Sequence, residues 1–245
     1  MSVRVDLTDH GQVLEAFTAV DDRHDGLDAV VHLAAIPAPG LATNATTFAN
    51  NITATHNVFA AARSAGIRNV VWASSETVLG LPFETPPAFA PIDESHPPRP
   101  ETSYALSKLV GETMADQLAR RHGVPFVGLR ISNIMEPADY AMFPTWQDDP
   151  ALRRWNLWGY VDARDVAQAI RLALGAEVRG AEVCIIAAAD TCMTADSATL
   201  LEREFPAVDV TRALAGRETL LAIGRARELL GYRPAISWLD DAREV

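Results

Sequence analysis

Lysine is almost absent from this chain. Of its 21 Lys and Arg residues, 20 are arginine and Lys108 is the single lysine. Cysteine is nearly as scarce. Cys184 and Cys192 stand alone without metal-ligand spacing, which points to structural thiols in a reducing, cytoplasmic setting. The six histidines (10, 24, 32, 56, 96 and 122) are scattered, with no His-x-x-x-His pair and no carboxylate at ligand spacing, so no metal site is expected. Net positive charge is missing as well. The formal charge of −11 argues against nucleic acid or an anionic membrane as partner. No apolar run reaches the length of a membrane span, and residues 1–25 are too charged for a secretory signal. Among the 14 glycines no three fall at Gly-x-x-Gly-x-x-Gly spacing, and none marks a strand-to-helix turn near the start. No internal repeat or low-complexity tract breaks the chain.

What is present is ample apolar sequence for one large domain, or one and a half, over 245 residues. Val3–Asp6 reads as a short strand. Thr8 or Asp9 can cap the helix after it, with Val13, Leu14, Phe17 and Val20 on one side. Asp28–Ala35 is nearly all apolar, as expected of a strand buried on both faces, and Pro37, Pro39 and Gly40 break it. A helix over 43–65 ended by Gly66, and a strand over Asn69–Ser74, come next. Residues 81–100 hold seven prolines and read as an irregular excursion. A helix to about His122, a strand at Val124–Ile131 and a loop over 133–160 follow. Asp162 can cap a helix to Leu174, with Asp165 in its first turn; a strand at Glu182–Ala188 and helices at Ala195–Phe205 and Arg225–Leu230 complete the pattern. Such alternation predicts an α/β fold with a parallel sheet covered on both faces.

The stretch Pro100–Glu112 stands out, because Tyr104 and Lys108 are four apart in a predicted helix. That spacing puts both side chains on one face, about 5–6 Å apart at Cβ. An ammonium beside a phenol favours the phenolate and lowers a pKa that starts near ~10. A drop of about three units, worth roughly 4 kcal/mol, brings a general acid/base close to working pH. In a chain that otherwise uses arginine, one compact ammonium at this position reads as functional.

With Tyr-x-x-x-Lys on a helix between two buried strands, the chain resembles the extended short-chain dehydrogenase/reductase family, nearest to its NAD-dependent sugar epimerase/dehydratase branch. The resemblance runs over nearly all of residues 3–240. Asp6-Leu7 matches the acidic-apolar pair that contacts adenine, and His32-Leu33-Ala34-Ala35 the turn along the cofactor. Asn51 matches a helix asparagine near the active site. Ala73–Gly80 matches a Ser-Ser-x-x-Val-Tyr-Gly segment, with Leu79 in place of tyrosine, and Arg130-Ile131-Ser132-Asn133 matches an Arg-x-x-Asn beside the substrate.

The resemblance implies Ser75, Tyr104, Lys108 and Asn51 as catalytic. It implies cofactor contacts from Asp6, Leu7, Leu33, Ala34, Ala35, Asn51, Ser74, Tyr104, Lys108 and Ile131, and substrate contacts from Ser75, Thr77 and Asn133. Tyr104 would take a hydroxyl proton while hydride passes to NAD or NADP; Lys108 would lower the tyrosine pKa and bond the ribose. Read without the family, His32 is a satisfied core histidine, Asp6 and Asp9 are helix caps, and Trp146, Trp155 and Trp158 are the core of a small lobe. Arg153 and Arg154 are solvated on that reading, and Asp162 and Asp165 are caps.

The fold implied is a Rossmann-like doubly wound parallel sheet lacking its first βαβα portion. Residues 1–132 and 160–188 would form a partial NAD(P)-binding domain; 133–159 and 189–245 would form a small substrate lobe. The family opens with a strand, a glycine-rich turn and a helix whose N–H groups cradle the pyrophosphate. This chain opens at the counterpart of the third strand, so roughly 50 residues of the pattern have no match. Dinucleotide binding is therefore expected to be weakened. The expected function is an NAD(P)-dependent oxidoreductase or epimerase acting on a sugar or nucleotide sugar. Segment 136–146 is similar to uronate dehydrogenases, although Ala141 stands where those carry an arginine and Asn133 where they carry a serine. The alternative is a non-catalytic dinucleotide sensor or inactive short form. A homodimer through helices 43–65 and 101–122 is expected.

Overall fold

The computed structural model describes residues 3–18 and 26–241, without the side chain of Asp241; Val20 and His24 lie outside the described residues. In chain order the elements are α1 (His10–Thr18), β1 (Ala29–His32), α2 (Asn44–Ser64), β2 (Asn69–Ala73), a 3-10 turn (Glu76–Leu79) and β3 (Phe89–Ala90). Then come α3 (Ser103–His122), β4 (Phe126–Ile131), β5 (Ile134–Met135), 3-10 segments at Pro137–Trp146 and Pro150–Asn156, and β6 (Val161–Asp162). The chain continues with α4 (Ala163–Leu174), β7 (Ala181–Ile186), α5 (Ser197–Glu204), β8 (Asp209–Val210), α6 (Gly224–Leu230) and α7 (Trp238–Asp241). The main sheet runs β1-β2-β4-β7, with β1–β2 and β2–β4 parallel. This is the expected α/β fold of parallel strands and flanking helices.

Local chemistry sets the helix ends. Asp9 caps α1, its Oδ1 accepting from the N–H groups of Gly11 and Gln12. Thr43 and Thr102 accept from Thr46 N–H and Ala105 N–H at the starts of α2 and α3. α3 closes at Gly123 in the left-handed region, φ 70°, where a side chain is disfavoured.

The chain forms two compact units. The first holds residues 1–74, 102–129 and 173–183; the second holds 75–101, 130–172 and 184–245. In the first, Phe59, Trp72 and Phe126 build the core with Val13, Val58, Ile67 and Val70. Phe59 meets Phe126 at 4.7 Å and stands edge-on to Trp72 at 5.6 Å between ring centroids. Glycine makes room for that indole. A Cβ at Gly111 would sit 3.0 Å from Trp72, and one at Gly128 would sit 3.1 Å from Trp72 Nε1. The missing Cβ on α3 permits close approach to the indole of β2, three residues after Lys108.

In the second unit Phe143 lies 5.3 Å from each of Tyr140, Tyr160 and Trp238. Trp158, Tyr160 and Tyr232 are wholly buried there. β3 pairs with β8 and β5 with β6.

Several expectations need correction. Val3–Asp6 forms no strand; Asp6 turns inward on its own neighbourhood, accepting from Thr8 N–H and Oγ1 and donating its N–H to Gln12 Oε1. Local side-chain bonds of this kind compete with a strand ladder. Among the described residues nothing pairs with the outer edge of β1, where Val31 is exposed. Residues 133–160 are not simply loop. Pro137 and Pro150 start 3-10 segments, helped by a Glu136–Asp139 capping box and by Asp149 accepting from Ala151 N–H. Asp165 is more than a cap, since its carboxylate accepts from Ala235 and Ile236 N–H and ties down the C-terminal segment. The proline-rich stretch contains β3.

Gly111→Val should force the indole and α3 apart, at a cost of about 1–3 kcal/mol. Thermal melting should fall by roughly 3–10 °C. An unchanged melting temperature would contradict this account of the α3–β2 packing.

Candidate active site

Helix α3 presents Tyr104 and Lys108 one turn apart, both buried. Lys108 Nζ lies 5.6 Å from the Tyr104 ring centroid and donates to the Ala73 carbonyl, at the end of β2, at 2.6 Å. Burial pushes this ammonium down to about 8. Nearby, His32 is buried with Nε2 3.2 Å from Thr55 Oγ1. Burial first, and the Lys108 charge second, push its imidazole down to about 4, so it is neutral at pH 7. His32 thus has the partner a core histidine needs. Ser74 Oγ donates to Glu112 Oε1 at 2.6 Å, tying the residue after β2 to the next turn of α3.

Asn51 works on the loop after β1. Its Oδ1 accepts from Ile36 N–H at 2.8 Å; its Nδ2 donates to the Ile36 carbonyl at 3.1 Å and reaches Ser107 Oγ at 3.4 Å. Ser107 Oγ in turn donates to the Tyr104 carbonyl at 2.7 Å. The amide therefore braces the loop and the start of α3. Ahead of that loop opens a cavity of about 450 Å³ lined by Arg4, Asp6, Leu7, Ala34, Ala35 and Ala54, among others. Asn57 Nδ2 donates to the Leu7 carbonyl at 2.9 Å, holding one wall. Small alanines leave room for a flat group, and the exposed Asp6 carboxylate supplies an acceptor, held below the usual carboxylate range by its bonds from Thr8. These residues fit the adenine end of a dinucleotide. Leu33 is exposed on the same loop.

The remaining predicted residues belong to the second unit. Ser75 caps the 3-10 turn, its Oγ accepting from Thr77 N–H at 3.2 Å and Thr77 Oγ1 at 3.0 Å. Ile131 is buried at the end of β4. Asn133 Oδ1 accepts from Arg153 Nη2 at 3.0 Å. Arg153 is buried, although its sequence context suggested a solvated side chain. Its guanidinium lies 4.6 Å from the Trp146 ring and 4.9 Å from Trp155, and Nη2 also donates to the Gly159 carbonyl. Flat aromatic faces substitute for water around a planar, weakly hydrated cation. Arg154 is half-exposed, pairs with Glu204 at 3.6 Å and lies over Phe205.

Sequence reasoning missed Ser107, Glu112, Asn57 and Glu76. Glu112 could have been found, since it stands four residues after Lys108 on the same helical face. Thr55 is likewise four after Asn51. Nothing in the sequence flags Glu76 as buried.

Known proteins are similar to this chain. L-arabinose 1-dehydrogenase (NAD(P)(+)) of Haloferax volcanii is 37% identical over 138 residues, which cover 53% of this chain and 51% of that protein. Uronate dehydrogenase of Pseudomonas syringae pv. tomato is 32% identical over 123 residues, 50% of this chain and 42% of that protein. The chain spans about half the length of the curated relatives it matches. Among solved structures, a short-chain dehydrogenase/reductase superfamily protein from Agrobacterium tumefaciens with bound NAD superposes with a TM-score of 0.70 at 23% identity, covering 98% of this chain and 82% of that one. A UDP-galactose 4-epimerase superposes with a TM-score of 0.65 at 24% identity, over 98% of this chain and 80% of that one. At these identities the superpositions establish the fold. The model of the NAD dependent epimerase/dehydratase family matches residues 2–187, most of the chain, and the protein belongs to that family.

Proposed function

We propose that the chain serves an NAD(P)-dependent oxidoreductase or epimerase acting on a sugar or nucleotide sugar. The observation that carries this reading is the buried Lys108 ammonium, 5.6 Å from the Tyr104 ring and bonded, among the described residues, to one carbonyl at the strand end. An ammonium has three donors, so two remain for a ribose hydroxyl or a neighbouring oxygen. Relatives that act on arabinose, uronate and UDP-glucose support the substrate class.

In this reading Tyr104 Oη moves the proton of a substrate hydroxyl. Lys108 stabilises the phenolate that accepts this proton, because an opposite charge at this range favours the ionised form. Ser75 Oγ holds the substrate oxygen in line, and Thr77 and Asn133 supply further substrate contacts. Asp6, Leu7, Leu33, Ala34 and Ala35 hold the adenine end of the cofactor, while Ser74 and Ile131 border it. Asn51 keeps the Ile36 loop and the first turn of α3 in register. A nicotinamide cofactor, when bound, supplies the hydride acceptor.

Tyr104→Phe and Lys108→Ala should each lower sugar-dependent NAD(P) reduction at least a hundredfold. The double variant should lose little more, because the two groups act as a unit. Turnover by Tyr104→Phe above about a tenth of wild type would contradict the proton-transfer role.

Charge burial gives a second expectation. Folded Lys108 binds its proton less tightly than an unfolded lysine does, with a pKa of about 8 against 10.5. The charged form therefore costs stability below about pH 8, and the cost fades as pH rises towards 10.5. Lys108→Met should melt roughly 5 °C higher than wild type at pH 7, with the gap narrowing above pH 8. A gap that does not change with pH would contradict it.

A further inference from the structure

A carboxyl group that the proposed chemistry leaves unused lies directly beside Ser75. Glu76 opens the 3-10 turn that Ser75 caps, yet its side chain is only 4% exposed for the residue as a whole. Oε2 accepts from Ser132 Oγ at 2.6 Å. Oε1 accepts from Asn156 Nδ2 at 3.4 Å, and the backbone of Asn133 lies against the carboxyl. Ser132 and Asn133 are the two residues that follow β4. Asn133 is gripped from its other side, its Oδ1 accepting from Arg153 Nη2. Arg153 also contributes the charge that faces Glu76; the other groups against it, Ser132, Asn133 and Asn156, are neutral.

This wiring is costly for a merely structural tie. A buried carboxylate loses its hydration, and a neutral amide or hydroxyl would make such bonds at less cost. The network is also incompletely satisfied, since Asn156 Oδ1 and Arg153 Nε have no hydrogen-bond partner among the described residues. What the carboxyl accomplishes is a link between two places assigned to substrate, the Ser75–Thr77 turn and Asn133.

We propose that Glu76 is a positioning residue: its ionised carboxylate clips the turn bearing Ser75 to the Ser132–Asn133 end of β4, and its protonation loosens that clip. The inference rests on the oxidoreductase reading for its functional part. The ionised form accepts from Ser132 and Asn156 together. A protonated carboxyl carries a hydrogen on one oxygen and gives up acceptor capacity. Burial pushes the carboxyl up to about 7, with the bonds from Ser132 and Asn156 and the Arg153 charge pulling the other way. The clip is therefore set across neutral pH.

The linkage has a definite sign. A folded carboxyl with its pKa raised from 4.5 to about 7 contributes stability that is fully present below about pH 4.5 and lost as pH rises through 7. Glu76→Gln keeps the shape and cannot titrate. Melting of wild type and Glu76→Gln should be followed from pH 5 to pH 8, and wild type should lose roughly 5 °C relative to the variant over that range. In parallel, the wild-type rate of sugar-dependent NAD(P) reduction should rise with pH through about 7 as Glu76 ionises. In Glu76→Gln this limb should vanish, with turnover at pH 8 lowered about tenfold. If the variant does not fold, carbon-13 NMR of glutamate-labelled wild type takes its place, and one carboxyl should titrate near 7. Melting curves that run parallel, or glutamates that all titrate in the ordinary range, overturn the titration. An unaltered pH–rate limb in Glu76→Gln overturns the positioning role. The melting and NMR arms need no turnover, so a wild type that reduces no cofactor counts against the oxidoreductase reading alone.

Discussion

The site depends on keeping one ammonium out of water. Lys108 is buried, yet its ordinary pKa of 10.5 would leave it charged at pH 7, and the fold lowers that value to about 8 rather than neutralising it. The shift corresponds to about 3 kcal/mol of stability forgone at neutral pH. No ordinary packing requirement calls for that sacrifice, since a methionine would fill the space. A desolvated cation beside a phenol is the arrangement that general acid/base chemistry at a hydroxyl requires. The cost is carried by the hydrophobic core around Phe59, Trp72 and Phe126, of which Trp72 lies on β2, the strand whose end accepts from the ammonium.

Packing and electrostatics meet at Gly111. Without a Cβ there, α3 approaches the indole of Trp72 closely enough for Lys108 to reach the Ala73 carbonyl. Ser74 and Glu112 add a second tie between strand end and helix. Asn51 adds a third, from α2 to the Ile36 loop and through Ser107 to the backbone of Tyr104. Tyr104 and Lys108, the groups proposed to react, thus sit on a helix tied at several points, while the wall of the 450 Å³ cavity is set by Asn57 and the loop that Asn51 clamps. In the other unit, Ser75 and Asn133 are held by a different logic, a buried polar network centred on Glu76 and Arg153.

Much of the fold was legible in the sequence. Buried strands such as β4, all six residues of it, read as apolar runs, and α2 stops just short of the Gly66 that marked its end. Tyr104 and Lys108 were found because helical spacing is a local property. Failures came where a side chain has a choice of partners. Asp6 bonds Thr8 instead of permitting a ladder, Pro137 and Pro150 begin 3-10 segments where the composition suggested loop, and Arg153 lies against two indoles where its charge suggested solvent. Glu76 was silent for a related reason. Its partners, at 132 and 156, are more than fifty residues away in sequence, and no spacing rule connects them.

One measurement reaches the central claim directly. Because Lys108 is the single lysine among 245 residues, carbon-13 labelling of lysine gives one side-chain resonance, and its chemical shift can be followed from pH 6 to pH 12. A buried, desolvated ammonium should titrate near 8, well below the ordinary 10.5. A midpoint near 10.5 would mean that the ammonium is solvated, and would contradict the account of how this site prepares its tyrosine.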